Sequence, residues 1–206
     1  MTIDKNDLLN SILASISRID YVKSDDIPNI DLYMDQVTSF MENKLQATKR
    51  YPDDKILTKT MINNYAKNDL LPPPVKKKYS KEHLMVLTFI YYFKSILSIS
   101  DIEKLLSPIT EKYFHAKEAP DLARIYDEVC AFEKERTHIL QDDMKEIFEA
   151  SKKTFSDAKE EEKEMLQFFS FICMLSLDVY VKKMIIEKLI DTVAEEPESA
   201  KENKKK

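Results

Sequence analysis

Glycine is absent from all 206 residues of this chain, and that absence constrains its fold more than any motif. Average usage is about 7%, so roughly a dozen or more would be ordinary at this length. Phosphate loops, dinucleotide fingerprints and nucleophile elbows need a residue without Cβ where the backbone turns sharply or approaches a ligand. Tight primed hairpin turns also favour glycine. The sequence therefore predicts an all-α protein with at most a short two-stranded wing, and no enzymatic activity.

The cysteines and the apolar segments bear on where the protein functions. Cys130 and Cys173 are the only cysteines, which is too few for a disulfide framework and indicates a reducing compartment. Residues 1–7 lack the basic-then-apolar order of a secretory signal. The most apolar run, residues 165–177, has thirteen residues, whereas a membrane span needs about twenty. We therefore expect a cytoplasmic protein that does not insert into a membrane.

Apolar residues recur at helical spacing along most of the chain. This spacing predicts a helix over residues 6–19, a loop over 24–29 and a helix from an N-cap at Asp31 to about Ala47. Two long helices, from Asp121 to about Phe155 and from Lys159 to about Val193, are joined by a short loop and predict an antiparallel hairpin. The predicted domains are an N-terminal helix and linker (1–30), a head (31–106), a C-terminal helical domain (107–193) and a disordered charged tail (194–206).

The second long helix is apolar on more than one stripe around residues 168–175. Such a helix is usually central to a bundle or shared with a partner. We expect a homodimer through the C-terminal helices, although core packing within one chain explains the same pattern and a ligand pocket is an alternative. No cofactor is predicted, and the sequence does not identify a small-molecule effector.

The stretch from Leu57 to Leu106 contains several helix boundaries. Thr58 is predicted to cap a helix, and three prolines at 72–74 force an extended exit from it. Three further helix starts are predicted: Ser80 as an N-cap, Ser100 with Glu103 as a capping box, and Ser107-Pro108 as the start of another turn.

Positive charge is concentrated in the same part of the chain. From Lys44 to Met85 there are ten Lys or Arg and four Asp or Glu, a local charge of +6 in a protein whose net charge is −5. A basic segment in an acidic protein is typical of a surface that binds a phosphate backbone. Chance unevenness along a charged surface is the simpler alternative.

The order of residues in this stretch carries a family resemblance. The chain reads Thr60-Met61-Ile62-Asn63-Asn64-Tyr65, then Asp69-Leu70-Leu71-Pro72-Pro73, then Lys76-Lys77-Lys78-Tyr79-Ser80-Lys81-Glu82. It resembles the winged helix-turn-helix head of the MerR regulators, with a tyrosine-bearing recognition helix, Leu-Leu-Pro-Pro, a basic wing, and Tyr-Ser before the next helix. Asp69 replaces the family's glycine before Leu-Leu, and the wing glycine and arginine pair are missing, so the wing is expected to be irregular. The whole chain more closely resembles the bacterial family called domain of unknown function 1836, which implies no established activity.

A helix that starts at Thr58 directs amide donors and its positive dipole end outward, where they can bind phosphate. Asparagine can pair bidentately with adenine, lysine can reach guanine or phosphate, and the wing lysines can bind the flanking backbone. The hypothesis is a DNA-binding transcriptional regulator of MerR-like type that binds duplex DNA; the alternative is a helical interaction protein or scaffold that keeps the fold without DNA binding. The predicted DNA-binding residues are Thr58, Lys59, Thr60, Asn63, Asn64, Lys67, Lys76, Lys77, Lys78, Tyr79 and Lys81.

Other chemistry-bearing residues give weaker patterns. Glu135 and His138 have the Glu-x-x-His spacing of carboxylate di-metal bundles, but the sequence has no second such pair, so no metal is predicted. His115 lies one helical turn after Glu111, which predicts a surface pair, and His83 is interpreted as a first-turn residue of its helix. The two cysteines are interpreted as small core residues.

Overall fold

The computed structural model describes residues 4–16 and 22–194, apart from the side chains at positions 16, 133–135, 137, 138 and 194. Helices dominate these residues and the strands are two residues long, so the all-α prediction is confirmed. The elements are α1 (Lys5–Ile16), β1 (Leu32–Tyr33), α2 (Met34–Leu45), α3 (Lys59–Lys67), β2 (Lys78–Tyr79), α4 (Lys81–Phe93), α5 (Ile99–Tyr113), α6 (Leu122–Ser151) and α7 (Glu160–Ala194), with 3₁₀ turns at Ser24–Asp26 and Gln46–Thr48.

Two compact units divide the chain, residues 1–135 and residues 136–206, and the boundary falls within α6. Helix α4 is the centre of the first unit, because its residues 83–88 are all buried. Helices α2 and α5 and strand β2 pack against it, and α3 packs against α2. A fully buried large apolar side chain contributes about 1.5–3 kcal/mol, so this core supplies most of the unit's stability. Its most buried members include Val37, Met41, Leu45, Ile62, Met85, Leu87, Ile90 and Ile102.

The small sheet ties the chain before α2 to the chain before α4. Strands β1 and β2 are antiparallel, with Leu32 opposite Tyr79 and Tyr33 opposite Lys78. Leu32 and Tyr79 are buried and Tyr33 is exposed, which is the alternation expected of a sheet with one face on a core. Because both strands end where a helix begins, the sheet fixes the start of α2 relative to the start of α4.

The beginning of α2 differs from the sequence prediction. Asp31 is not the N-cap; Tyr33 is, and the Gln36 side chain accepts a hydrogen bond from the Tyr33 amide at 2.9 Å. Pairing of Leu32 and Tyr33 with β2 keeps the backbone extended up to Met34, so the helix starts later. The sequence signal for an Asp cap was present, but the strand pairing decided the boundary.

Helix α5 also differs from its predicted start. Its N-cap is Ser98, whose hydroxyl oxygen accepts the Asp101 amide at 3.1 Å, rather than Ser100. Pro108 lies inside α5 and does not begin a new turn. Of the predicted helix over 6–19, the described part is α1, and residues 17–19 lie outside the described residues.

In the second unit the last part of α6 and helix α7 form the predicted antiparallel hairpin. The Phe148 and Phe171 rings meet edge to face with their centroids 5.1 Å apart. Nearer the loop, the Gln167 side-chain amide donates to the carbonyl oxygens of Lys152 and Thr154, at 2.6 and 3.1 Å. Gln167 thus satisfies carbonyls at the end of α6 that lack helical partners. None of the described helices is long and apolar enough to cross a membrane.

Candidate functional site

Helix α3 begins at the predicted residue. The Thr58 hydroxyl oxygen accepts a hydrogen bond from the Met61 amide at 3.2 Å, so Thr58 is the N-cap. Ile62 and Tyr65 are buried and anchor the inner face of the helix. The outer face carries polar residues that are all exposed: Lys59, Thr60, Asn63, Asn64 and Lys67.

After the end of α3, Asp69 occupies a position that is usually a glycine. Asp69 has a φ of 56°, in the left-handed region, and the Leu70 amide donates to the Tyr65 carbonyl at 3.0 Å. This is the bond of a Schellman motif, in which glycine usually holds the left-handed position. Aspartate tolerates that conformation better than most residues. Leu70 and Tyr65 are both buried, which adds the apolar contact that accompanies this motif.

The lysines after the prolines form a tight hairpin. Val75 and Lys78 exchange two backbone hydrogen bonds of 3.1 and 3.0 Å, and the residues between them, Lys76 and Lys77, have φ values of 51° and 64°. Two central residues with positive φ between such a pair are the pattern of a type I′ turn. Residues 75–78 therefore form a regular two-residue hairpin, and the expectation that this segment is irregular was wrong. Pairing with β1 through β2 supports the hairpin and holds its register.

This turn contains backbone strain. A left-handed conformation costs an L-residue with a Cβ about 1–2 kcal/mol, and two consecutive lysines adopt it here. Asn-Gly or Asp-Gly would normally fill such a turn. Strained positions of this kind are concentrated at functional sites, where the surrounding structure holds them in place.

The hairpin side chains differ in their exposure. Lys76 and Lys77, at the tip, are exposed, whereas Lys78 is half-buried with its ammonium 5.1 Å from the centroid of the Tyr33 ring. Tyr79 is buried, and burial raises the pKa of its phenol, so its role is to anchor the hairpin on the core. Lys81, in the first turn of α4, is half-buried.

One carboxylate beside α3 was not anticipated from the sequence. The Lys59 ammonium forms an ion pair with Asp35, and both side chains are more than half exposed. Exposed pairs contribute about 0–1 kcal/mol, so a stronger anion can displace Asp35 from the lysine. Only the packing of the first turn of α2 against α3 brings these two residues together.

His83 links the hairpin to the core in a way that the sequence analysis missed. It is buried, and its Nδ1 accepts the Ser80 amide at 2.9 Å, as glutamate or glutamine does in a capping box. Its ring meets Tyr79 and Phe114 edge to face. Burial lowers the pKa of His83 to about 4, although the carbonyls of Pro73 and Pro72 favour the charged form. The Ser-x-x-His spacing was the signal available in the sequence.

The remaining candidates are dispersed. His115 pairs with Glu82, not Glu111, because it follows the end of α5 and its backbone turns with a φ of 59°. The side chains of Glu135 and His138 lie outside the described residues. Among the side chains that are described, no group of three or more His, Cys, Asp or Glu is placed to hold a metal ion. Cys130 and Cys173 are half-buried thiols.

The comparisons with known proteins identify a family. No curated protein and no solved structure matches the chain. The family model described as "Domain of unknown function (DUF1836)" matches residues 22–129, which is just over half of the chain. The match starts before β1 and ends within α6, so it includes α3, the lysine hairpin and the buried α4. The chain therefore belongs to the domain of unknown function 1836 family.

Proposed function

We propose that this protein is a non-enzymatic, DNA-binding transcriptional regulator of MerR-like type, whose head (residues 31–106) binds duplex DNA. The observation that carries the proposal is the strained turn of Lys76 and Lys77, which follows the exposed polar face of α3 along the chain. Lysine is poorly suited to a left-handed position, so its charge accounts for its presence at the tip of the hairpin. The MerR-type heads that the chain resembles have a recognition helix and a basic wing in this order along the sequence.

The outer face of α3 has the chemistry of a major-groove surface. Asn63 and Asn64 can each pair with the N6 and N7 edge of adenine, and Lys67 can reach guanine or a phosphate. Lys59 binds Asp35 in the absence of DNA and would exchange that carboxylate for a phosphate. Thr58 caps the helix and presents its amide end.

The hairpin would contribute more to the affinity for DNA than to sequence specificity. Phosphate contacts position a protein on the duplex, whereas contacts with base edges specify the sequence. Lys76 and Lys77 are exposed and suit the flanking backbone, while Lys78 also packs on Tyr33. Tyr79 and His83 hold the base of the hairpin, so the lysines are presented from a rigid support.

The second unit would make the protein a homodimer. Helix α7 exposes large apolar side chains along its length, each at 36% or more of its surface. Exposed apolar side chains in this number are typical of an interface, and two copies of an antiparallel hairpin can bury them in a four-helix bundle. A two-fold dimer would also present two heads to two half-sites. The apolar residues include Met165, Phe169, Ile172, Leu177, Val181, Ile185 and Leu189.

The second candidate function is a helical interaction or scaffold protein that keeps the fold without binding DNA. The net charge of −5 favours it, since the residues outside the basic segment are strongly acidic. The same exposed apolar surface of α7 would then bind a different protein. The two functions differ in whether the head binds nucleic acid at all.

Fluorescence anisotropy with random-sequence duplex DNA separates these functions. The regulator is expected to bind at low salt and to lose affinity as salt rises. Binding releases counterions from the DNA, and that release is less favourable when the salt concentration is high. Lys76→Gln with Lys77→Gln should reduce the magnitude of the log–log salt slope by about 2, at roughly 0.9 per phosphate contact. The matched control, Lys117→Gln with Lys153→Gln, changes two exposed lysines outside the head and should bind like the wild type. Absence of binding at low salt would reject the regulator and favour the scaffold.

A further inference from the structure

A pocket with a basic lining lies apart from the residues of α3 and of the hairpin. It has a volume of about 450 Å³ and is formed by residues 48–50 and 54–56, in the segment that leads into α3, together with the last turn of α4 and the two residues that follow it. None of the eleven residues predicted to bind DNA lines it. Pockets of roughly 300–1,000 Å³ hold small molecules, so this volume is sufficient for a ligand of nucleotide size.

The lining of the pocket is strongly basic. Lys49, Arg50, Lys55 and Lys94 contribute four cations, and Asp54 contributes the only carboxylate in the lining. The Asp54 carboxylate accepts the Tyr51 amide at 2.9 Å and so belongs to the turn of the loop.

Only part of this positive charge is neutralised. Lys49 is paired with Glu42 of α2, and this pair lowers the pKa of the Glu42 carboxyl. The Arg50 guanidinium lies over the Tyr51 ring, 5.2 Å from its centroid, and the Lys55 side chain is exposed. With Lys49 paired, Arg50, Lys55 and Lys94 remain as the cations that can bind an anion, and they outnumber the single carboxylate of Asp54 in the lining.

Lys94 is the most rigidly held of these cations. Its ammonium donates to the Ile56 carbonyl at 2.6 Å and lies 4.8 Å from the centroid of the Tyr91 ring. Burial removes water from the Lys94 ammonium and lowers its pKa. A bound anion would replace the interactions with water that the ammonium loses on folding. An ammonium has three N–H donors, and the Ile56 carbonyl occupies one of them.

The aromatic side of the pocket is also fixed. The Thr48 hydroxyl donates to the Leu45 carbonyl at 2.7 Å, so in its bond with Tyr91 the tyrosine hydroxyl is the donor. This bond joins the loop to α4 and holds the Tyr91 ring in place. Tyr92 lines the same pocket, so rings are available beside the cations for a planar group of the ligand.

We propose that this pocket binds a small phosphorylated molecule, with its phosphates between Arg50, Lys55 and Lys94 and its ring against the tyrosines. Guanidinium and ammonium groups together suit phosphate oxygens, and a desolvated lysine strengthens the bond. A concave pocket fits a free ligand better than the convex backbone of a duplex. Because the pocket is formed by the segment that ends at the start of α3, the ligand would stiffen the attachment of that helix. Binding of the ligand does not depend on the proposed DNA function.

Isothermal titration calorimetry on the full chain tests the proposal with ADP, inorganic pyrophosphate and adenosine as probes. ADP and pyrophosphate should bind saturably with one site per chain, and adenosine should bind more weakly or not at all. Hydrogen bonds to charged groups contribute about 1.5–3 kcal/mol, so Arg50→Gln and Lys55→Gln should each lower the affinity for ADP by about tenfold or more. Both side chains are exposed, so these variants should keep the wild-type melting temperature.

Lys94→Gln should weaken ADP binding further, and its melting temperature shows whether this variant folds. If it does not fold, Arg50→Gln and Lys55→Gln alone test the proposal. The control Lys76→Gln with Lys77→Gln, in the hairpin, should leave ADP binding unchanged even if it abolishes DNA binding. No saturable binding of either phosphate probe at millimolar concentration overturns the proposal, as does binding that Arg50→Gln and Lys55→Gln leave unchanged. If Arg50→Gln and Lys55→Gln weaken DNA binding and leave ADP binding unchanged, the pocket lining contacts the duplex backbone and the small-molecule site is rejected.

Discussion

Lys76 and Lys77 occupy together the two central positions of one tight turn, each with a left-handed backbone. Replacing them with Asn and Gly, in that order, gives the turn its preferred residues. We expect the double variant to be more stable than the wild type by about 1–2 kcal/mol, because the strain of two left-handed lysines is removed. Urea denaturation measures this gain.

The same variant should bind DNA more weakly, because the hairpin loses both of its tip charges. Opposite changes in stability and DNA affinity would indicate that the strain is maintained for function. Weaker DNA binding combined with lower stability would contradict this interpretation. Lys76→Gln with Lys77→Gln is the matched control, since it removes the charges and keeps the strain.

Asp69 provides a second test of the left-handed positions. Asp69→Gly should stabilise the protein by about 0.5 kcal/mol, since glycine holds the left-handed position of a Schellman motif without a Cβ penalty. Asp69→Val should destabilise it by about 1–2 kcal/mol, because a β-branched residue is unfavourable at positive φ. Thermal denaturation of both variants against the wild type measures the difference, and equal melting temperatures would contradict the role of the backbone conformation.

His83 makes stability depend on pH. Its folded-state pKa, about 4, lies below the ordinary value of 6.5, so the unfolded chain binds more protons between these values. The folded state is therefore fully stabilised by this group above pH 6.5 and loses that contribution as pH falls towards 4. From pH 7 to pH 5 the loss from this group is about 2 kcal/mol.

His83→Gln keeps a neutral acceptor for the Ser80 amide and removes the titrating group. Its free energy of unfolding should fall less than that of the wild type between pH 7 and pH 5, by about 2 kcal/mol. Parallel pH profiles for the wild type and His83→Gln would show that burial of His83 does not govern the acid sensitivity.

The exposed surface of α7 predicts an effect on assembly. Phe169 and Leu177 expose 60% and 56% of their surfaces, so glutamate at both positions should leave the hairpin folded and dissociate a homodimer. Sedimentation velocity should show a shift from dimer to monomer. Phe171→Ala is the contrasting variant: it removes a buried ring that meets Phe148 and should destabilise the hairpin by about 3–5 kcal/mol. A wild-type monomer at high concentration would contradict the dimer.

Several boundaries followed from local chemistry and were therefore predictable. Thr58 and Ser80 begin α3 and α4 as predicted, and Asp121 accepts the Arg124 amide where α6 begins. Capping depends on residues two or three positions apart, so the sequence contains the whole interaction. The antiparallel hairpin of α6 and α7 followed from two long apolar patterns and a short loop.

Other features depend on residues that are distant in sequence. Tyr33 replaced Asp31 as the cap of α2 because β1 pairs with residues 78–79. Lys59 meets Asp35, and Lys94 meets the Ile56 carbonyl, only after α2, α3 and α4 are packed. The regular turn at Lys76 and Lys77 was unpredictable for another reason, since local propensity opposes it and the supporting sheet overrides that propensity.

The left-handed positions have a consequence for the unfolded chain. Among the described residues, Asp69, Lys76, Lys77, His115 and Phe155 all have positive φ, and every one carries a Cβ. A chain without glycine has fewer backbone conformations when unfolded, so it loses less entropy on folding. The protein therefore combines a stiffer unfolded chain with a few strained native residues, and its stability depends on the denatured ensemble as well as on the native contacts.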